Sequence, residues 1–122
     1  MRDLQEIFEL TDGLIPTEAK KTMMFCEIEE KAYEIVYYSY FGDGPAKQCY
    51  ELAEEGKIES AALDKGFEEI ALFVRNSSSY DPEKRNVLTV LIEGAIEKVQ
   101  IEQFDKSVGL YKIKKEWKAK NL

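Results

Sequence analysis

The sharpest catalytic pattern in the chain is the run Glu29-Glu30-Lys31, next to a predicted strand and downstream of Asp12. A metal-dependent nuclease needs two carboxylates to hold Mg²⁺ and a lysine to polarise the phosphate. The pattern is weak, because Asp12 falls within a predicted helix and because such a run is also an ordinary solvated hairpin tip. Nucleic-acid binding also needs positive charge. A metal-dependent nuclease is therefore the least favoured of three functional hypotheses.

Other common catalytic groups are missing or isolated. The 122 residues include no histidine, which is the commonest general base and a common zinc ligand. The two cysteines, Cys26 and Cys49, fall in predicted strands and could face each other across the sheet. We expect them to be reduced and buried as small hydrophobic residues, because nothing in the sequence indicates export. The sequence therefore predicts a protein that is not an enzyme and binds neither a cofactor nor a metal.

The elements that position these residues are organised around residues 23–41. This stretch is rich in β-branched and aromatic residues on either side of the Glu29-Glu30-Lys31 turn, which is typical of a β-hairpin. In its second strand, the side chains that point to either face of the sheet are mostly apolar. We therefore expect both faces to be covered, at least one of them by helices. A second hairpin is predicted from residues 87–93 and 96–104 about Gly94-Ala95.

The remaining pattern predicts one more strand and three helices. A third, shorter strand is expected at residues 46–52, near an edge of the sheet. Helices are expected from an Asp3 cap to Pro16, from a Ser60 cap through residue 74, and from Leu110 onwards. Gly66 within the second helix is a possible mark of close packing. The order α-β-β-β-α-β-β-α predicts a single α+β domain over residues 1–122, with an antiparallel sheet of about five strands packed with helices.

Charge is unevenly spread along the chain. The net charge is −7; residues 1–105 carry 11 Lys and Arg against 23 Asp and Glu, and residues 106–122 carry 6 against 1. An acidic body repels nucleic acid and anionic membranes and favours encounter with a basic partner. The sequence has no apolar run of the ~20 residues that a membrane span needs. We therefore expect a cytoplasmic protein with no direct nucleic-acid or membrane contact.

Short motifs along nearly the whole chain resemble those of the YezG-like immunity or antitoxin proteins of bacterial polymorphic toxin systems. Near the start, Ile15-Pro16 ends the first helix, and Glu27 matches the glutamate of the strand that follows. The later half carries the stronger likeness, and the matching residues are Leu88-Thr89, Glu93, Lys98, Phe104-Asp105, Trp117, Lys118, Lys120 and Leu122.

The resemblance implies a non-enzymatic protein that binds a cognate toxin, typically a nuclease domain delivered between competing bacteria, and blocks it stoichiometrically. The family gives no binding residues. Charge and predicted strand position indicate carboxylates that could form one negative surface for a basic toxin. These candidate toxin-binding residues are Glu27, Glu29, Asp43, Glu93, Glu97, Glu102 and Asp105.

A structural or regulatory interaction module is the alternative hypothesis. In this interpretation the protein dimerises by pairing the exposed edge of its third strand with another chain. The sequence is compatible with a monomer or with a weak homodimer.

Overall fold

The sheet and its helices are described by a computed structural model that covers residues 4–122. The chain forms five strands and four helices in the order α1-β1-β2-β3-α2-α3-β4-β5-α4. Their bounds are α1 Glu6–Asp12, β1 Lys21–Ile28, β2 Tyr33–Tyr40, β3 Lys47–Gln48, α2 Cys49–Glu54, α3 Ser60–Arg75, β4 Arg85–Glu93, β5 Ile96–Phe104 and α4 Leu110–Asn121.

The strands form one antiparallel sheet in the order β3-β2-β1-β4-β5. β1 lies at its centre and pairs with β2 on one side and β4 on the other. All but the first residue of β1 are buried, as expected for a strand covered on both faces. The predicted α+β fold and both predicted hairpins are confirmed.

One face of the sheet, called here the α1 face, packs against α1 and α3. The hydroxyl of Tyr37 donates a hydrogen bond to the carbonyl oxygen of Leu14 over 2.5 Å, and its ring lies edge-on to Phe67 of α3. A Cβ placed on Gly66 would lie 2.5 Å from the Leu14 side chain. The prediction that Gly66 marks close packing is therefore confirmed.

The opposite face, called here the α4 face, packs against the C-terminal helix. The Trp117 ring lies edge-on to Phe25, with 5.3 Å between centroids. Its indole nitrogen donates a hydrogen bond to Oγ1 of Thr89 over 2.7 Å. Ile113 and Trp117 are the buried residues of α4, and their spacing of four residues explains why the sequence identified this helix.

The third strand was predicted too long. Only Lys47–Gln48 pair with β2, and Cys49 begins the short helix α2. Buried Cys49 and Leu52 are three residues apart, which places both on one face of a helix, whereas in a strand they would point to opposite faces. Cys49 is therefore helical, and the edge that β3 offers to another chain is only two residues long.

Three boundaries also differ from expectation. α1 ends at Asp12, because Gly13 follows as its C-cap well before Pro16. The N-cap of α3 is Glu59 instead of Ser60. β4 begins at Arg85, inside the predicted loop. The predicted Asp3 cap lies outside the described residues.

No helix within residues 4–122 combines the length and the apolar composition that crossing a bilayer requires.

Candidate functional site

The seven candidate carboxylates do not form one surface. Strand pairing places Glu27, Glu29, Glu102 and Asp105 toward the end of the sheet that carries the β1–β2 turn, and Asp43, Glu93 and Glu97 at the end that carries the β4–β5 turn. Thr22 pairs with Ile92, five residues along β1 from Glu27, so the two groups are about 17 Å apart along the strands. The predicted single acidic surface is wrong, although β1, β4 and β5 are neighbours as expected.

Glu27 is a core residue. It lies on the α4 face with only 2% of its surface exposed, and its Oε2 atom accepts no hydrogen bond within the described part of the chain. Burial, followed by the adjacent Glu29 carboxylate, raises the pKa of Glu27 to about 7, while Arg85 acts in the opposite direction. A buried carboxylate responds in this way because desolvation disfavours its charged form. Glu27 is therefore not available as a surface contact for a toxin.

Arg85 provides the cation at this end of the sheet. Its Nη1 atom lies 3.0 Å from Oε2 of Glu29 and 3.7 Å from Oε2 of Glu27. The first distance is a hydrogen-bonded ion pair, whereas the second is an electrostatic contact without a hydrogen bond. Glu29 is thus largely neutralised by the protein itself.

Two further cations complete this end. Arg75, at the end of α3, donates hydrogen bonds to the carbonyl oxygens of Glu29 and Ala32 over 2.8 and 3.1 Å. Lys114 of α4 forms an ion pair with Glu34, which pairs with Glu27 across β1 and β2. Sequence reasoning missed these contacts, because they join residues 43 to 80 positions apart.

Asp105 has a local structural role after β5. Its Oδ1 atom accepts a hydrogen bond from the backbone N–H of Ser107 over 3.0 Å, and Lys84 lies 3.9 Å from Oδ2. Hydrogen bonds from the backbone and from the side chain of Ser107, together with the charge of Lys84, lower the pKa of Asp105. Such an arrangement stabilises a turn, here the one that leads into α4.

Asp43, Glu93 and Glu97 differ from the other candidates. They are called here the turn-end carboxylates. All three are exposed, and none forms a salt bridge with a residue between positions 4 and 122. All three lie at one end of the sheet, Asp43 beyond the end of β2 and the two glutamates at the β4–β5 turn, with the start of β1 between β2 and β4. Glu93 pairs with Ile96 and points to the α4 face, whereas Glu97 points to the α1 face. Unpaired exposed carboxylates of this kind leave a negative field available to a basic ligand.

Glu102 is also exposed and without an ion pair in the described chain, but it lies elsewhere. It sits on the α4 face of β5, opposite Val87. Five residues of β5 separate it from Glu97, which is about 17 Å along the strand. It therefore does not belong to the turn-end carboxylates.

A groove of about 480 Å³ lies beside Glu97, whereas Asp43 and Glu93 do not line it. It is lined by Phe8 of α1, by Met23 and Leu91 of the sheet, and by Glu97 and its neighbours in β5. Its apolar walls suit an apolar group, and its charged lining residues among positions 4–122 are one carboxylate, Glu97, and one ammonium group, Lys98.

The residues of the nuclease hypothesis lie in separate elements. Asp12 is on the last turn of α1, whereas Glu29 and Lys31 belong to the β1–β2 turn. Within residues 4–122, no three His, Cys, Asp or Glu side chains are grouped so that they could hold a metal ion.

The chain was compared with protein-family models and with curated proteins. Neither comparison gave a match.

Proposed function

We propose that this protein is an immunity protein, which binds a basic toxin domain and blocks it stoichiometrically without catalysis. The observation that carries the proposal is the set of turn-end carboxylates, which are exposed and form no salt bridge within residues 4–122, unlike the Glu29 and Glu34 carboxylates at the opposite end. The resemblance of the sequence motifs to YezG-like proteins supports the same function. Its proposed site of action is the cytoplasm, where the toxin would act.

Charge is the first element of the proposed recognition. Residues 1–105 carry a net charge of −12, from 11 Lys and Arg against 23 Asp and Glu. A field of this sign accelerates encounter with a basic protein above the ordinary ~10⁵ to 10⁶ M⁻¹s⁻¹. The turn-end carboxylates then determine where the basic partner contacts the sheet.

Apolar contact is the second element. Phe8, Met23 and Leu91 line the groove next to Glu97. Buried apolar anchors contribute more to the lifetime of a complex than rim charges do. We therefore expect the partner to place a basic side chain against Glu97 and an apolar one in the groove.

Calorimetry tests the proposal directly. The ligand to test is the C-terminal domain of any large secreted protein that is encoded immediately upstream of this chain. We expect one-to-one binding that weakens when the salt concentration rises from about 0.05 M to about 0.5 M, since salt screens exposed charges. A parent protein that does not bind this domain contradicts the function.

The site is tested with two triple variants of equal charge. The first is Asp43→Asn, Glu93→Gln and Glu97→Gln. The second removes three exposed carboxylates from α3 through Asp64→Asn, Glu68→Gln and Glu69→Gln. We expect the first to weaken binding about tenfold or more and the second by less than about threefold. Equal weakening by both would show that net charge acts alone and that the turn-end carboxylates are not the site.

A further inference from the structure

The outer edge of β5 is open along nine residues. β5 is the last strand of the sheet, and no strand formed by residues 4–122 pairs with its outer side. Six of its nine residues are exposed, and the other three are partly exposed. At the opposite edge, β3 is only two residues long. An open edge of this length is a template for pairing with another strand.

The β4–β5 turn determines which backbone groups point outwards. Glu93 pairs with Ile96 across Gly94-Ala95, and Gly94 has a φ of 61°. In a two-residue turn the closing pair is hydrogen-bonded, and hydrogen-bonded pairs then alternate along the ladder. The N–H and C=O groups of Glu97, Val99, Ile101 and Gln103 therefore point away from β4.

The side chains of β5 are complementary to those of the same strand in the reverse direction. When two copies pair antiparallel about Gln100, Ile96 meets Phe104 and Lys98 meets Glu102 on the α4 face. On the α1 face, Glu97 meets Gln103 and Val99 meets Ile101. Each charged pair joins opposite signs, and such cross-strand pairs stabilise a sheet.

Other registers lack this match. A shift of two residues either way places Lys98 opposite Gln100 or Phe104, without an ion pair. A shift of four residues places Lys98 opposite Lys98, or Glu102 opposite Glu102, which is destabilising. Only the register centred on Gln100 pairs all nine residues and also joins the opposite charges.

We propose that β5 pairs antiparallel with β5 of a second copy in the register centred on Gln100, so that one continuous sheet runs through a homodimer. The charged pairs of the interface are Lys98 with Glu102, but the junction also includes Glu97, so it overlaps the turn-end carboxylates at that residue. About eight main-chain hydrogen bonds and two Lys98 to Glu102 pairs form at the junction. Because an edge junction buries little area, the dimer is weak and reversible.

Sedimentation equilibrium of the full chain, from about 10 µM to about 1 mM, measures the association. The parent is expected to shift from monomer toward dimer over this range. Lys98→Glu and Glu102→Lys each create like-charge contacts at both ends of the junction, so each variant alone is expected to associate at least about tenfold more weakly. The two residues are exposed, and matched thermal melts of both variants check that folding is unchanged.

Mixing the two variants restores opposite charges in both pairs. An equimolar mixture is expected to form a heterodimer with an association constant within about threefold of the parent value. The double variant is expected to self-associate again for the same reason. Lys65→Glu and Glu69→Lys, on the exposed side of α3, make the same charge changes away from β5 and are expected to leave association unchanged.

Three results would overturn the proposal. They are a parent that stays monomeric at about 1 mM, edge variants that associate as well as the α3 controls do, and a mixture that associates no better than its separate components. Calorimetry with the toxin domain measures toxin binding separately, so failure of dimerisation and failure of the proposed function are distinguishable.

Discussion

The two ends of the sheet use acidic residues in different ways. At the β1–β2 turn end, Glu29 and Glu34 are paired with Arg85 and Lys114, and Glu27 is buried beside them. At the β4–β5 turn end, Glu93 and Glu97 are exposed and have no salt bridge within residues 4–122. These carboxylates thus form internal contacts at one end and stay exposed at the other, although Glu30 of the β1–β2 turn is exposed as well and Lys21 begins β1 at the second end. Burial and ion pairing, rather than residue type, separate the two roles.

The largest effect is expected from Arg85→Met. This change leaves buried Glu27 and half-buried Glu29 without their shared cation, and unpaired buried charge is strongly destabilising. In urea unfolding at pH 8, the free energy of unfolding of the variant is expected to be about 3 kcal/mol lower than that of the parent. The loss is expected to be smaller at pH 5, where Glu27 is protonated.

The control for this change is Lys47→Met. Lys47 forms an ion pair of 2.9 Å with Glu55, but both side chains are substantially exposed, so the expected loss is about 0.5 kcal/mol. Equal losses for Arg85→Met and Lys47→Met would remove the distinction between an internal and a superficial ion pair.

The next effect is the pH dependence of the free energy of unfolding that the raised pKa of Glu27 produces. Its pKa is about 7 in the folded protein and near 4.5 in the unfolded chain, so the folded protein binds more protons between these values. The contribution of Glu27 to the free energy of unfolding therefore falls as the pH rises from about 4.5 to about 7, and it is constant above.

Glu27→Gln tests this effect. The difference in unfolding free energy between the variant and the parent is expected to change by about 2 kcal/mol in favour of the variant across this window. A difference that stays constant from pH 4.5 to pH 8 would show that Glu27 does not titrate there.

A smaller effect is expected from Lys114→Met. The ion pair of Lys114 with Glu34 is about one-third exposed on both sides, so solvent screens much of the attraction. We expect the free energy of unfolding, measured with urea, to fall by about 0.5 kcal/mol. This decrease is expected to be smaller in about 0.5 M salt. A loss as large as that of Arg85→Met would place Lys114 in the buried network.

The smallest effect on stability is expected at the other end. The double change Glu93→Gln and Glu97→Gln removes exposed charges that have no salt-bridge partner within residues 4–122, so the unfolding free energy should stay within about 0.5 kcal/mol of the parent. The same change is expected to weaken toxin binding in calorimetry. A loss of stability as large as that of Arg85→Met would show that these carboxylates are structural as well.

Local patterns predicted most of the fold. Both hairpins, α3 and α4 follow from periodicity and turn residues within each segment. The third strand failed, because six residues such as Cys49–Glu54 are too few to separate a strand from a helix by period. Only part of the candidate site was predictable: charge identified the carboxylates, but nothing local indicated that Glu27 is buried or that Asp105 stabilises a turn.

The sequence by itself determined where strands and helices form, since hydrophobic spacing and turn chemistry act over a few residues. It also determined the acidic balance of the body. The tertiary structure alone decided that β1 is central and that no strand within residues 4–122 pairs with the outer side of β5. It also brought Arg85 to Glu29 from 56 residues away. The reason is that strand order and buried ion pairs arise from long-range packing of complete elements, which no local pattern records.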